Sequence, residues 1–418
     1  MPRPEIRRTG IGPTGYEVTF RYANPAARSV FIKGEWSFSR PSDFTQTAGT
    51  PDQPVIASHG IPPQDWRPGD IPLAYPNTVG PNWPIEPMVR NADGTWTFTT
   101  PLPPGVYTYS FLVDGEGDDP ARWAPISDPA NPPWNEAGGN RLGSVAPCSQ
   151  VHVPADPAFA APDLWWQGPA KVQGQLIHHT YPSPGHLTPK DENHLVVYLP
   201  SGYDAARAKP YPTLWLSHGG GENEMGWSTQ GAAGDILDNL IGSGLIEPLV
   251  VLMPNALGLS PSEFNEAYDR ELIDTMLPFI EGRYHVSRDA EQRAFAGLSL
   301  GGQLTNSFML KYPETFGFYG MFSSGLPTPY AQLSEAQATA LRTKSIFIGG
   351  GWQDPIHEAG YQGFHRGTAR QISTFVRAGI PVTTNFVHGG HNWHVWRQLL
   401  RDFLTRVAFL PRPFAFWD

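Results

Sequence analysis

The chain has 418 residues, 40% of them hydrophobic and only 16% charged, with 45 prolines, 44 glycines and a net charge of −10. That length can bury a large core in two or three domains of roughly 150 residues each, and the turn-rich composition excludes a coiled or disordered chain. An acidic balance without any basic run argues against a nucleic-acid partner.

Cys148 is the one cysteine, so the chain can form no intrachain disulfide and no multi-cysteine metal site; it falls in a Pro-rich stretch and reads as an inert thiol. Residues 1–5 lead into no apolar h-region, and no apolar run reaches 18 residues, so neither a secretory signal nor a membrane span is expected. Cytoplasm is the default that follows, or secretion or periplasm if a signal has been removed.

In chain order, Tyr16, Val18, Phe20 and Tyr22 alternate, and Val30-Phe31-Ile32 forms a second strand-like run. Residues 36–87 are rich in Pro, Gly, Ser, Asp and Asn, lack sustained periodicity and read as a long insertion. Its aromatics Trp66, Tyr75 and Trp83 need somewhere to bury, either over a catalytic cleft or on the insertion's own sandwich. Strand signals return at Trp96–Thr99 and at Val106–Val113, which ends at Asp114-Gly115. Short strands separated by turns predict a small β-sandwich over 1–145. Pro density from about Asp128 to Pro169 predicts a boundary, with 146–171 as linker.

The second domain, 172–418, reads differently. His194–Leu199, Thr213–Leu216, Leu249–Met253, Gly320–Phe322 and Ser345–Ile348 are continuous apolar strands, as a sheet covered on both faces requires. Between them, Ile236, Leu237, Leu240, Ile241 and Leu245 recur at helical spacing, as do Leu272, Met276, Leu277 and Ile280. Alternating strands and helices predict an α/β domain with a mostly parallel sheet.

The chemistry centres on Arg293–Gly302, an apolar strand, then Gly297-Leu298-Ser299-Leu300-Gly301, then a helix carrying Leu304 and Phe308. This is the context of a nucleophile elbow, with Ser299 on a tight turn and the Leu300 amide at a helix N-terminus where an anion is favoured. A serine hydroxyl needs a base, and the base needs an orienting acid. Downstream, His388-Gly389-Gly390-His391-Asn392-Trp393-His394 offers three histidines, of which His391, behind two glycines, is the most freely placed. Asp354 lies just past the strand Ser345–Ile348, where ligand-facing groups gather in open α/β sheets, with Glu358 as competitor. The second oxyanion donor is expected from His218-Gly219-Gly220-Gly221, with Gly220 the pick and its neighbours close behind. Trp227, Trp352 and Trp393 flank these loops, as substrate-binding residues or as plain packing.

Together, His218–Gly221, Gly297–Gly302 and Gly390–Trp393 resemble the esterase D / carbohydrate esterase family 1 group, which includes feruloyl, acetyl-xylan and enterochelin-type esterases and mycolyltransferases. The resemblance spans about 172–411. The front domain, with Gly94-Thr95-Trp96 and Pro103–Tyr109, is similar to the immunoglobulin-like domain of feruloyl and enterochelin-type esterases and to glycogen-branching-type carbohydrate-binding modules. The resemblance implies an α/β-hydrolase fold, no cofactor, no metal, and a Ser299–Asp354–His391 triad. It implies a carboxylic-ester hydrolase acting on a small-molecule or oligosaccharide ester, foremost feruloyl or acetyl esters of plant polysaccharide. A siderophore trilactone and acyl transfer are alternatives, and a non-catalytic glycan-binding protein is the competing class. The insertion at 36–87 is longer than that family's pattern, and the position of the acid varies within the family.

Overall fold

The computed structural model describes residues 3–43, 60–72, 83–131, 148–159, 163–327, 332–354, 356–357 and 367–411. Tyr75 and Glu358 lie outside these residues.

The front of the chain forms two facing antiparallel sheets. One orders Glu5–Arg8, Tyr16–Ala23, Thr95–Pro101 and Val89–Arg90; the other is built on Gly105–Val113, flanked by Val30–Gly34, Pro125–Ile126 and Ser149–Val153, with Ile85–Pro87 beyond Val30–Gly34. Alternation decides what each strand buries. Val18, Phe20, Tyr107, Tyr109 and Phe111 turn inward and share one core with Trp36, Phe38, Trp66 and Trp96. The opposite face of Gly105–Val113 is buried as well, through Val106, Thr108 and Ser110. On that side Arg397 Nη2, from the hydrolase part of the chain, donates to Val106 O at 3.0 Å.

One expectation needs correcting here. The stretch 146–171 is not a bare linker, because Ser149–Val153 pairs with Gly105–Tyr109 and buries Val151 and Val153 in the sandwich core. Flanking prolines hid a strand of only five residues. The described parts of the 36–87 insertion pack on the sandwich through Trp36, Phe38 and Trp66, and Phe38–Ser39 pairs with Ile71–Pro72. At its edge, Pro72 O accepts from Asn392 Nδ2 at 3.4 Å, so the insertion also reaches the loop that carries His391.

The second part is an eight-stranded sheet in the order Gln175–Leu187, Lys190–Leu199, Val250–Pro254, Thr213–Ser217, Arg293–Leu298, Phe318–Phe322, Ser345–Gly351, Thr383–Val387. The first two strands run antiparallel to their neighbours and the remainder are parallel. Separate apolar clusters cover its two faces. One contains Trp215, Phe295, Phe308 and Tyr319, the other Leu214, Ala296, Phe322, Trp396 and Phe403. The central strands are therefore apolar at consecutive positions. The helix Ala233–Gly242 ends earlier than its periodicity suggests, because Gly244 turns the chain at φ +71° and leaves Leu245 49% exposed. Among the described residues no helix is long and apolar enough to cross a membrane.

Candidate active site

Three strand ends converge at the carboxyl edge of the parallel sheet, where open α/β sheets place their reactive groups. Arg293–Leu298 delivers Ser299, Ser345–Gly351 delivers Asp354, and Thr383–Val387 leads into His391. Ser299 is half-buried in a turn at φ +49° and ψ −113°, conformational space that a side chain normally avoids. The strain is held by tight packing around it. A Cβ on Gly297 would stand 2.4 Å from the Gly301 carbonyl carbon, and one on Gly301 would stand 2.5 Å from Ser217 O. Only glycine lets strand and helix approach this closely. The helix Leu300–Lys311 then starts at the residue after the serine.

His391 bridges the other two residues. Its Nε2 lies 3.0 Å from Ser299 Oγ and its Nδ1 lies 2.9 Å from Asp354 Oδ2. A carboxylate can only accept, so the proton sits on Nδ1 and leaves Nε2 free to accept from the serine hydroxyl. The ring is braced edge-on against Trp396, centroids 4.9 Å apart. Asn392 fixes the loop by accepting from Val395 N as the N-cap of the helix Trp393–Arg406. Asp354 is 4% exposed. Burial alone would raise its pKa, but the His391 charge and hydrogen bond, with Ser323 and the Ile356 amide, outweigh burial and hold the carboxyl below its ordinary value.

The glycine loop after Thr213–Ser217 stands opposite. Burial pulls His218 down to about 4, and the neutral ring serves structure: Nδ1 donates to Gly219 O at 2.7 Å and Nε2 accepts from Ala256 N at 3.0 Å. The Gly219 amide is committed to Glu222 Oε2 at 3.2 Å. Gly220 is exposed, with open space where a Cβ would be. Its amide and that of Leu300 are the two candidates for an oxyanion.

The tryptophans divide. Trp227 and Trp393 are each 1% exposed and meet edge to face at 5.0 Å, and Trp227 Nε1 donates to Ser217 O at 2.9 Å. Both are core residues, and their expected contact with substrate is corrected: the apolar face beneath the loops captured them. Trp352 is 43% exposed and packs on His357 and Phe386. Unforeseen from sequence, Ser323 is buried beside Asp354 at φ +51°. Its signal was the Ser323-Ser324 pair directly after a strand. Among the described residues no group of three or more His, Cys, Asp or Glu is placed to hold a metal ion.

Known proteins are similar to this chain in sequence or in fold. A protein of Xylanibacter ruminicola, described as an endo-1,4-beta-xylanase/feruloyl esterase, is 31% identical over 326 residues, covering 74% of this chain and 40% of that protein. The chain thus spans less than half the length of that relative. The enterobactin esterase of Shigella flexneri, solved in the presence of 2,3-dihydroxy-N-benzoyl-glycine, superposes with a TM-score of 0.51 at 17% identity, covering 96% of this chain and 95% of that one. A ferulic acid esterase superposes with a TM-score of 0.50 at 23% identity over 57% of this chain and 99% of its own, and these two likenesses establish the α/β-hydrolase-like fold. A family model described as "Putative esterase" matches residues 188–407, more than half of the sequence, and the chain belongs to that esterase family.

Proposed function

We propose that the chain is a serine carboxylic-ester hydrolase working through Ser299, His391 and Asp354. The observation that carries the reading is the unbroken path Ser299 Oγ to His391 Nε2 at 3.0 Å and His391 Nδ1 to Asp354 Oδ2 at 2.9 Å. Ser299 Oγ attacks the ester carbonyl carbon while its proton passes to His391 Nε2. The carbonyl oxygen becomes an oxyanion facing the Gly220 and Leu300 amides. Collapse breaks the bond to the alcohol oxygen, which takes the proton from Nε2 and departs. Water then gives a proton to Nε2, attacks the acyl-enzyme and releases the acid, and the proton returns to Ser299. Asp354 stays ionised throughout and stabilises the imidazolium.

The substrate class is an ester of a hydroxycinnamic or acetic acid on plant polysaccharide. It is favoured by the 31% identical relative, whose description joins xylanase to feruloyl esterase. The test is hydrolysis of a p-nitrophenyl ester by wild type and Ser299→Ala, followed by methyl hydroxycinnamates, acetylated xylan and a catecholate trilactone. Equal turnover in wild type and variant ends the serine reading. Preference for the trilactone ends the polysaccharide reading and leaves the esterase.

A further inference from the structure

The loop after Thr213–Ser217 holds a carboxylate that the reaction above does not use. Glu222 is 0% exposed and directly follows the glycines Gly219, Gly220 and Gly221. A buried carboxylate is costly unless hydrogen bonds use its charge. Its Oε2 accepts from the Gly219 amide at 3.2 Å. Its own backbone amide donates to Gly219 O at 3.4 Å, and His218 Nδ1 donates to the same carbonyl at 2.7 Å. Glu222 thus holds Gly219 on both sides. Gly226 leaves room for the carboxylate, since a Cβ there would stand 3.1 Å from Oε2.

This loop lies against the elbow. A Cβ on Gly219 would stand 2.5 Å from Leu298 Cδ1 and 3.6 Å from Ser299 Cβ, and one on Gly301 would stand 2.6 Å from His218 O. The orientation of the peptide planes in the loop therefore decides which amide an oxyanion on Ser299 meets. Consecutive glycines give those planes little steric preference, and no atom lies within 4 Å of the Cβ position of Gly220. Hydrogen bonds have to set them. A peptide unit is planar and trans, so the Gly219 carbonyl and the Gly220 amide point in opposite directions. Holding that carbonyl on His218 and on the Glu222 amide aims the Gly220 N–H the other way. The carboxylate acts on the preceding peptide unit. It ties the Gly219 N–H back into the loop and leaves Gly220 to face the oxyanion. A charged acceptor makes such a bond about twice as strong as a neutral one does.

We propose that Glu222 is a positioning residue of the oxyanion hole, which acts through the Gly220 amide and touches no substrate. The proposal rests on the esterase reading above. It is tested on the full chain as wild type, Glu222→Ala, Glu222→Gln and Gly226→Ala, with active sites counted by fluorophosphonate labelling carried to completion. The readouts are kcat and KM for a p-nitrophenyl ester and the Ki of an aryl trifluoromethyl ketone. Ser299 Oγ adds to the carbonyl carbon of that ketone, its proton passes to His391 Nε2, and the carbonyl electron pair moves onto an oxygen that takes the oxyanion's place. Glu222→Ala should lower kcat per labelled site by about tenfold or more, with KM nearly unchanged, and raise Ki by a similar factor; outright loss of an oxyanion donor costs about 10²–10³. Glu222→Gln keeps an oxygen for the Gly219 amide and should recover most of both. Gly226→Ala presses a methyl on Oε2 and should move kcat and Ki the same way by less. A merely structural role would lower the number of labelled sites and leave kcat per site and Ki alone, which overturns the proposal, as does a Gln variant no better than the Ala variant. If the thermal midpoint shows that Glu222→Ala does not fold, Gly226→Ala decides, and an unchanged kcat and Ki there overturn it. Turnover that survives Ser299→Ala removes the esterase reading and this proposal with it. Turnover lost in Ser299→Ala but untouched in Glu222→Ala removes this proposal alone.

Discussion

Ser299 is held at φ +49° by its surroundings, and Asp354 is ionised in a site that is 4% exposed. Both conditions oppose local preference and are sustained by partners. Replacing the acid tests this directly. Asp354→Asn should lower kcat by roughly 10⁴, because an amide allows the wrong imidazole tautomer. The same carboxyl also links pH to stability. Its folded pKa lies below the unfolded value of about 3.9, so its stabilisation is complete above that value and is lost as pH falls through the folded pKa. Denaturant titrations should show the gap between wild type and Asp354→Asn narrowing on acidification below about pH 4; a gap that widens contradicts the assignment. The buried tryptophans behave as core. Trp227→Ala should cost about 3–5 kcal/mol of stability, read as a urea midpoint, and a normal midpoint with only a raised KM would restore its substrate role.

At the scale of elements, the elbow depends on the approach of Arg293–Leu298 to Leu300–Lys311 across Gly297 and Gly301. Gly301→Ala puts a methyl 2.5 Å from Ser217 O and should destabilise by about 1–3 kcal/mol or more. Gly220→Ala meets open space and should leave the unfolding midpoint near wild type. Equal midpoints for the two variants would show that the close approach carries no weight. These features were readable in the sequence because they are local: the elbow, the glycine loop and the glycines before His391 each signal within ten residues. The Gln175–Leu187 strand was not readable. Prolines 182 and 184 stand on its exposed face, and its inward face carries His179 and Ser183 beside Ile177 and Tyr181, so the run does not read as an apolar alternation. The sandwich strand Ser149–Val153 was hidden the same way, and its pairing with Gly105–Tyr109 spans a separation that periodicity does not register.

Across the whole molecule, the two parts are joined by buried polar groups as well as apolar ones. Burial of Trp227 and Trp393 could not be read from spacing, because it depends on which loop folds over which sheet. Glu35 could not either, since Arg397, the opposite charge that acts on it, is hundreds of residues away. Because its folded pKa, about 7, lies above the unfolded value of about 4.3, its contribution is full below that lower value and is lost as pH rises to about 7. Arg397, Tyr107 and Thr108 are the groups that face it. The thermal midpoint of wild type should therefore decline across that window relative to Glu35→Gln. Parallel profiles would mean that the carboxyl is solvated.

The central claim is that His391 and Asp354 make Ser299 a nucleophile. Labelling the intact chain with a fluorophosphonate and mapping the adduct by peptide mass spectrometry tests it most directly. The account predicts one adduct per chain, on Ser299, absent in Ser299→Ala and strongly slowed in His391→Ala. Labelling at another residue, or undiminished labelling of Ser299 in His391→Ala, would contradict it.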